Sequence, residues 1–92
     1  MKKIISELGT IKHYRKDVLH RDDNLPAVIF FNGDKEWWEN GRLYKRVLSN
    51  GITSYYKNNL LHNIKGPALS FPNGKSYFFK NGKEIKSTTI VT

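Results

Sequence analysis

Leu25-Pro26-Ala27-Val28-Ile29-Phe30-Phe31-Asn32-Gly33 decides the fold of this chain, because it returns 41 residues later as Gly66-Pro67-Ala68-Leu69-Ser70-Phe71-Pro72-Asn73-Gly74. The next segment, Trp37-Trp38-Glu39-Asn40-Gly41-Arg42, returns in the same way as Phe78-Phe79-Lys80-Asn81-Gly82-Lys83. A chain that repeats itself builds its structure from repeated supersecondary units. The repeat is therefore a stronger guide to architecture than to function.

A shorter module lies inside this repeat. In its clearest copy, residues 32–44, it reads Asn-Gly, three residues, two aromatic residues, one residue, a turn dipeptide, one residue, and then Leu and a ring. Two further copies lie at about residues 50–62 and 73–85, and a worn copy covers about residues 8–20. We predict one domain, residues 1–92, made of these four modules.

Each module is predicted to form a β-hairpin. Asn40-Gly41 and Asn81-Gly82 favour type I′ turns, which need positive φ at both central residues, and Asn58-Asn59 is a weaker signal of the same kind. The flanking residues are aromatic or β-branched, as strands prefer. No window has a sustained helical period. The predicted fold class is all-β, with tandem β-hairpin repeats forming a twisted antiparallel meander or a partly open barrel.

Composition limits the class of protein. The chain has 92 residues, 38% of them hydrophobic, so the core must be thin. It has no cysteine, which excludes disulfides and thiolate metal sites. Met1-Lys2-Lys3 precedes only two apolar residues, too few for a signal peptide, and no apolar run approaches the roughly 18 residues of a membrane-spanning helix. We expect a cytoplasmic protein.

The net charge of +8 is unevenly distributed. Residues 1–44 hold eight basic and seven acidic side chains, whereas residues 45–92 hold eight basic side chains and one acid, Glu84. In the second copy of the repeat, Lys75 and Lys80 stand where the first copy has Asp34 and Glu39. A basic half indicates an anionic partner. The alternative is a lysine-rich surface that only solvates the protein and protects sheet edges.

The two residues of each aromatic pair must lie on opposite faces of the sheet, because side chains alternate along a strand. The two-residue turns then predict the cross-strand pairs Trp38–Leu43 and Trp37–Tyr44, and equivalent pairs in the other modules. One face, expected to be buried, carries Tyr14, Leu19, Trp38, Leu43, Tyr56, Leu61 and Phe79. The other, which mixes rings with imidazoles and could be an exposed binding surface, carries His13, His20, Trp37, Tyr44, Tyr55, His62, Phe78 and Ile85. Both faces could equally be covered, since a thin sheet needs its rings for a core.

Three histidines invite an acid–base interpretation. His20 and His62 hold equivalent positions in tandem units, so they need not converge on one substrate atom, as a catalytic pair must. His13 and His20 would face each other near Asp22, but the spacing matches no known set of metal ligands. We predict no catalytic residue, no metal and no cofactor.

Leu61-His62-Asn63-Ile64-Lys65-Gly66-Pro67-Ala68 resembles a leucine-histidine…glycine-proline-alanine repeat that recurs in uncharacterised viral, phage and bacterial proteins. Residues 19–27 resemble the same element with one extra residue and with Leu25 at the usual glycine. The hairpins are also similar to MORN-like repeats (membrane occupation and recognition nexus), including bacterial antitoxin-type variants. The resemblance covers about residues 8–86. It implies a β-hairpin array that acts as a binding scaffold, in some cases for acidic lipids, and it brings no catalytic residue.

We expect a non-enzymatic binding protein that acts on an anionic or nucleoprotein partner through its basic C-terminal half. The small size, the charge and a repeat common in phages favour an inhibitor or counter-defence protein of the anti-CRISPR kind. The alternatives are a protein-interaction or assembly module that uses the aromatic–histidine face, an acidic-lipid binder, and a small histidine-based hydrolase. A homodimer is also compatible with the open sheet edges. The predicted partner-binding residues are Lys57, Lys65, Lys75, Lys80, Lys83, Lys86, Trp37, Tyr44, Tyr55, His62 and Phe78.

Overall fold

A computed structural model describes residues 1–85 and shows one open sheet of eleven antiparallel strands, without a helix in those residues. The predicted all-β class is confirmed. In chain order the strands are β1 (Lys2–Ile5), β2 (Ile11–Arg15), β3 (Val18–Leu19), β4 (Val28–Ile29), β5 (Lys35–Glu39), β6 (Arg42–Val47), β7 (Thr53–Lys57), β8 (Leu60–Leu61), β9 (Leu69–Ser70), β10 (Ser76–Lys80) and β11 (Lys83–Ile85). No helix of the described chain is long and apolar enough to cross a membrane.

The sheet consists of two copies of one arrangement. In the first half (β1–β6), β2 pairs with β3 and β4, β4 pairs with β5, and β5 pairs with β6. In the second half (β7–β11), β7 pairs with β8 and β9, β9 pairs with β10, and β10 pairs with β11. Pairing between β6 and β7 joins the halves. The sequence repeat is thus a repeat of strand topology.

The tight turns follow from asparagine and glycine. Both central residues have positive φ at Asn40-Gly41, Asn58-Asn59 and Asn81-Gly82, as a type I′ turn requires, and the worn module has the same geometry at Lys16-Asp17. The predicted type I′ hairpins are therefore confirmed. At Asn50-Gly51 and the other Asn-Gly pairs that begin the modules, only the glycine has positive φ. Those pairs form the looser connections at the opposite ends of the hairpins.

The core is as thin as the composition predicts. The buried hydrophobic residues of the described chain are Ala27, Val28 and Ala68, at 0%, 1% and 0% exposure. Each Pro-Ala of the repeat places its alanine between two strands: Ala27 accepts a bond from His13 N (2.7 Å) and Ala68 accepts one from Tyr55 N (2.8 Å). Both alanine side chains are fully covered, so a larger side chain at either position would have to displace the residues packed on it, in keeping with alanine at both positions.

The predicted cross-strand register holds near the turns and fails farther from one of them. Trp38 pairs with Leu43 as expected, but Trp37 pairs with Lys45 rather than Tyr44, because a β-bulge lies between Trp37 and Trp38. A bulge sets two residues of one strand against one of the other. Tyr44 is the additional residue, so the prediction that it faces Trp37 was wrong.

The sheet does not divide into one buried and one exposed face, and it agrees better with the alternative in which both faces are covered. The rings expected to be buried, such as Trp38 and Tyr56, are only half-buried, whereas His20 from the face expected to be exposed is 3% exposed. A sheet of this thickness leaves most rings partly covered on both faces. The binding surface must therefore be found from the detailed geometry and not from the alternation of side chains.

Candidate functional site

The two halves of the sheet meet along only part of their shared edge. β6 pairs with β7 through Lys45–Val47 and Thr53–Tyr55, while the remainder of each strand pairs only within its own half. Next to this unpaired part lies an open cleft of about 370 Å³. We call it the junction cleft, and its lining residues are Tyr44, Tyr55, Tyr56, Lys57, His62, Asn63, Ile64 and Lys65.

The junction cleft brings together five of the eleven residues predicted to bind a partner: Tyr44, Tyr55, Lys57, His62 and Lys65. Tyr44 reaches it as the additional residue of the bulge in β6. Tyr55 and His62 are neighbours across the β7–β8 hairpin, where His62 N donates to Tyr55 O at 3.0 Å. The cleft thus combines rings, lysines and an imidazole, with no acidic side chain among its lining residues.

Trp37 connects to the cleft through Lys45. Trp37, Lys45 and Tyr55 are successive cross-strand partners on β5, β6 and β7. The Lys45 ammonium lies 4.8 Å from the Trp37 ring centre and 5.6 Å from that of Tyr55, within the range of cation–π attraction. The Trp37 indole also donates to the carbonyl of Asn24 at 2.9 Å. Sequence reasoning did not select Lys45, because only the register shift at the bulge places it between these rings.

The last hairpin carries two of the remaining predicted lysines. Lys80 and Lys83 face each other across the β10–β11 turn, as predicted. Lys80 also lines a smaller cleft of about 190 Å³ together with Asn63 and Ile64, which both clefts share. Lys80 therefore extends the basic surface from the junction cleft onto the last hairpin.

The structure places the other predicted residues elsewhere. Lys75 precedes β10 and lies at the opposite end of that strand from Lys80. Phe78 is half-buried and pairs with Ile85, so it supports the last hairpin. Lys86 lies outside the described residues.

His62 holds a turn through one ring nitrogen and has a second ring nitrogen that can donate a hydrogen bond. Its Nδ1 accepts a hydrogen bond of 2.9 Å from the backbone N–H of Asn81, the first central residue of the β10–β11 turn. A backbone N–H only donates, so Nδ1 is unprotonated and the neutral ring carries its proton on Nε2. The ring thus anchors the next hairpin, and the same residue lines the junction cleft.

His20 does the same for the first half, where Nδ1 accepts from Asn40 N at 2.9 Å. The two histidines hold different turns, so they do not act on one atom as a catalytic pair would. Residues 1–85 contain no group of three histidine, cysteine or acidic side chains arranged to hold a metal ion. The sequence signal for this role was the Leu-His dipeptide, which recurs as Leu19-His20 and Leu61-His62. Each histidine lies 20 or 19 residues ahead of the turn asparagine that it binds.

The tyrosine at the bulge keeps its proton over a wider pH range than usual. Burial raises the pKa of Tyr44, and the nearby charge of Glu39 raises it further. The Tyr44 hydroxyl is therefore a neutral group that can donate or accept a hydrogen bond in the cleft.

An ion pair between the buried Glu36 and the partly exposed Arg46 in the first half was missed by sequence reasoning. Glu36 is 8% exposed, and its carboxylate accepts bonds from Arg46 Nε (3.1 Å) and Trp38 Nε1 (2.9 Å), while Arg46 Nη2 lies 2.9 Å from it. The Arg46 guanidinium also lies over the Tyr56 ring, 5.8 Å from its centre. The available signal was that Glu36 lies two residues from Trp38 in β5 and therefore shares a face of the sheet with that ring.

No family model matches the chain, and neither the curated proteins nor the solved structures yield a match. The resemblance to MORN-like repeats therefore stays a prediction from the quoted motifs. Arguments about function depend on the junction cleft itself.

Proposed function

We propose that this protein is a non-enzymatic binding protein for an anionic macromolecule and that the junction cleft is its contact surface. The observation that carries the proposal is the composition of that cleft: two lysines, an imidazole N–H and three tyrosines, with no acidic side chain. Lysine ammonium groups pair with phosphate or carboxylate oxygens, and tyrosine rings stack on bases. The lysines and tyrosines of the cleft therefore suit a nucleic acid, which offers both phosphates and bases.

The opposed lysines of the last hairpin support the same proposal. Lys80 and Lys83 face each other directly, and like charges at such positions destabilise a hairpin. The corresponding pair in the first half is Glu39 and Arg42, which attract each other. An anion bound beside Lys80 and Lys83 would remove the repulsion. If the two lysines served only solubility, nothing would offset the repulsion between them.

A nucleic acid, alone or within a nucleoprotein, is the partner that these groups fit best. Half-buried aromatic side chains can stack on bases, which contributes roughly 1–3 kcal/mol per base. The neighbouring lysines add electrostatic attraction to the phosphates. A small protein with this surface would act by covering the nucleic acid of its target. The inhibitor or counter-defence role considered from the sequence is proposed on that basis.

The proposal is tested by titrating a short fluorescent oligothymidylate and measuring anisotropy at several salt concentrations. Lys57 and Lys65 are both replaced by Glu, and the matched control carries the same change of charge on β1 at the opposite end of the sheet, Lys2→Glu with Lys3→Glu. We expect the cleft variant to weaken binding by at least about tenfold and to reduce the salt dependence of log Kd by about 2, because each lysine–phosphate contact contributes roughly one unit.

The control variant should change binding by less than about threefold, since charges beyond about 10 Å are largely screened. Equal losses in the two variants would mean that only the net charge of the protein attracts the oligonucleotide. That result would contradict a binding site at the junction cleft. Unchanged circular dichroism spectra are required of both variants.

One observation favours a second candidate, a protein-interaction module. Ile64 is 74% exposed although it lines the junction cleft beside rings. Exposed apolar side chains next to aromatic residues are common where proteins bind each other. In that case Trp37→Ala and Ile64→Ala would weaken binding to the partner more than the lysine changes do, and added salt would have little effect.

A further inference from the structure

The first half contains a carboxylate in a place where the second half has none. Asp22 Oδ1 lies 2.7 Å from His20 Nε2 and 3.8 Å from Arg15 Nη1. His20 Nδ1 is already an acceptor for Asn40 N, so its Nε2 carries the proton and donates it to Asp22. Arg15 Nη1 and His20 Nε2 lie 3.2 Å apart as two donors that share this carboxylate. One acid thus joins an imidazole N–H and a cation.

The repeat supplies the same two donors in the second half. His62 holds the turn of the next hairpin in the same way as His20 does, by accepting a 2.9 Å hydrogen bond from Asn81 N. Lys57 immediately precedes the Asn58-Asn59 turn, just as Arg15 immediately precedes the turn at Lys16-Asp17.

The second half has no acid at the position equivalent to Asp22. Two residues after the histidine, where the first half has Asp22, the second half has Ile64. His62, Lys57 and Ile64 all line the junction cleft, which also holds Lys65. An imidazole donor and two ammonium groups therefore meet in one cleft without the carboxylate that balances them in the first half.

We propose that the junction cleft binds a phosphate group from outside the chain, in the place that the Asp22 carboxylate occupies in the first half. One phosphate oxygen accepts the Nε2 proton of His62, and Lys57 and Lys65 neutralise the charge. The inference rests on the proposed function, because it names the group of the anionic partner that this cleft recognises. Charge-assisted bonds of this kind are the strong ones, and the His62 ring is already fixed by Asn81.

The test uses inorganic phosphate and the whole protein, observed by long-range ¹H–¹⁵N spectra of the imidazole nitrogens at neutral pH. We expect the His62 ring nitrogens to shift and to saturate as phosphate is added. His20 should not respond, because Asp22 already occupies its site, and it serves as an internal control. Chloride at equal ionic strength should move neither ring.

The decisive variant is Ile64→Asp, which places in the second half the acid that the first half has. We expect it to reduce the phosphate affinity at His62 by at least about tenfold, because the new carboxylate binds His62 and repels the anion. Its matched control, Ile64→Asn, has the same shape without the charge and should retain binding. Asp22→Ile should do the converse and make His20 respond to phosphate.

Failure of this inference is distinguishable from failure of the proposed function. If phosphate leaves His62 unmoved, or if Ile64→Asp binds phosphate as well as Ile64→Asn does, the phosphate site is disproved, even when the oligothymidylate still binds elsewhere. If phosphate shifts His62 and Ile64→Asp prevents it, the site is supported. In that event, an oligothymidylate that does not bind would remove the macromolecular partner alone and leave a site for small phosphate compounds.

Discussion

The first and second halves of the sheet share their backbone connections and differ in the side chains placed upon them. Gly41 N donates to Leu19 O and Gly82 N donates to Leu61 O, both at 2.8 Å, so each turn of one hairpin is held by the hairpin before it. On this common frame the first half balances its charges within the chain, as Arg15, Asp22 and His20 show. In the second half, the cations of the junction cleft have no acidic side chain beside them among the cleft's described lining residues.

The same comparison holds at a second pair of positions. In the first half, Phe30 and Glu36 line a cleft of about 190 Å³ in which Glu36 binds Arg46. In the second half the equivalent residues are Phe71 and Tyr77, whose rings meet edge to face at 5.9 Å. Turn residues and backbone bonds thus maintain the repeat, while the side chains of the faces have diverged. Differences between the halves are therefore where specific function is to be sought.

The largest expected effect on stability comes from removing the Glu36 carboxylate. Glu36→Ala leaves the Arg46 guanidinium and the Trp38 indole N–H without their acceptor in a nearly buried place. We expect a loss of about 2–3 kcal/mol in the free energy of unfolding, less than the roughly 3–5 kcal/mol of a fully buried broken pair, because Arg46 is partly exposed. Urea denaturation followed by tryptophan fluorescence measures it.

The second half provides the control for that experiment. Glu36→Tyr installs the residue that the second half uses at this position, next to Phe30 as Tyr77 is next to Phe71. We expect it to lose less stability than Glu36→Ala, because a ring pair contributes about 0.5–1.5 kcal/mol beyond the area that it buries. Equal losses would show that the two halves are not interchangeable at this site.

The next largest effect is a difference in stability between variants of His20 and His62. His20→Ala removes the acceptor of Asn40 N and the donor to Asp22 from a buried place, whereas His62→Ala removes the acceptor of Asn81 N from a more exposed one. We expect about 2 kcal/mol for His20 and about 1 kcal/mol for His62, since water replaces a lost bond more easily in the exposed turn. Thermal unfolding of both variants measures the order, and a reversed order would contradict the assigned roles.

The sequence was sufficient to predict most of the architecture, because its signals were local. Asn-Gly dipeptides require particular φ values, and the pairing of residues next to the turns follows from them, as at Trp38–Leu43 and Phe79–Glu84. The bulge at Trp37 was not predictable in this way. Nothing in the β5–β6 segment alone indicates that Tyr44 is accommodated as an additional residue.

The site was predictable only in part, and for a related reason. Tyr55, Lys57, His62 and Lys65 belong to one hairpin and its exit, so sequence reasoning could group them. Lys45 and Tyr44 come from the other half and join them through the β6–β7 contact, whose register depends on the bulge. The turn-holding role of His62 required the position of Asn81, 19 residues away in sequence.

A smaller effect on stability is expected at the β10–β11 turn, where Lys80 faces Lys83, whereas Glu39 faces Arg42 at the equivalent turn of the first half. Lys80→Glu recreates the Glu39–Arg42 arrangement of the first half by placing an acid opposite Lys83. We expect a gain of about 0.5 kcal/mol in stability, which shrinks as salt is added. The same variant should bind the oligothymidylate more weakly. A gain in stability without any loss of binding would separate the last hairpin from the binding surface.

The smallest effect is the acid sensitivity that His13 gives to the first half. Burial, and secondarily the charges of Arg21 and Lys3, hold the pKa of His13 below its ordinary value of 6.5, so the unfolded chain takes up this proton more readily than the folded chain. The contribution of His13 to stability is complete above pH 6.5 and is lost as the pH falls below that value toward the pKa of the folded state.

Asp22 acts in a separate, lower range. Its pKa is held below 3.8, chiefly by the hydrogen bond from His20, so its contribution disappears only as the pH falls through that lowered value. The second half has Tyr55 at the position equivalent to His13, and tyrosine does not titrate in either range. Amide exchange should therefore open the His13–Ala27 bond before the matched Tyr55–Ala68 bond as the pH drops below 6.5. His13→Gln should remove that difference, and simultaneous opening of both bonds in the natural protein would show that acid acts on the sheet as a whole.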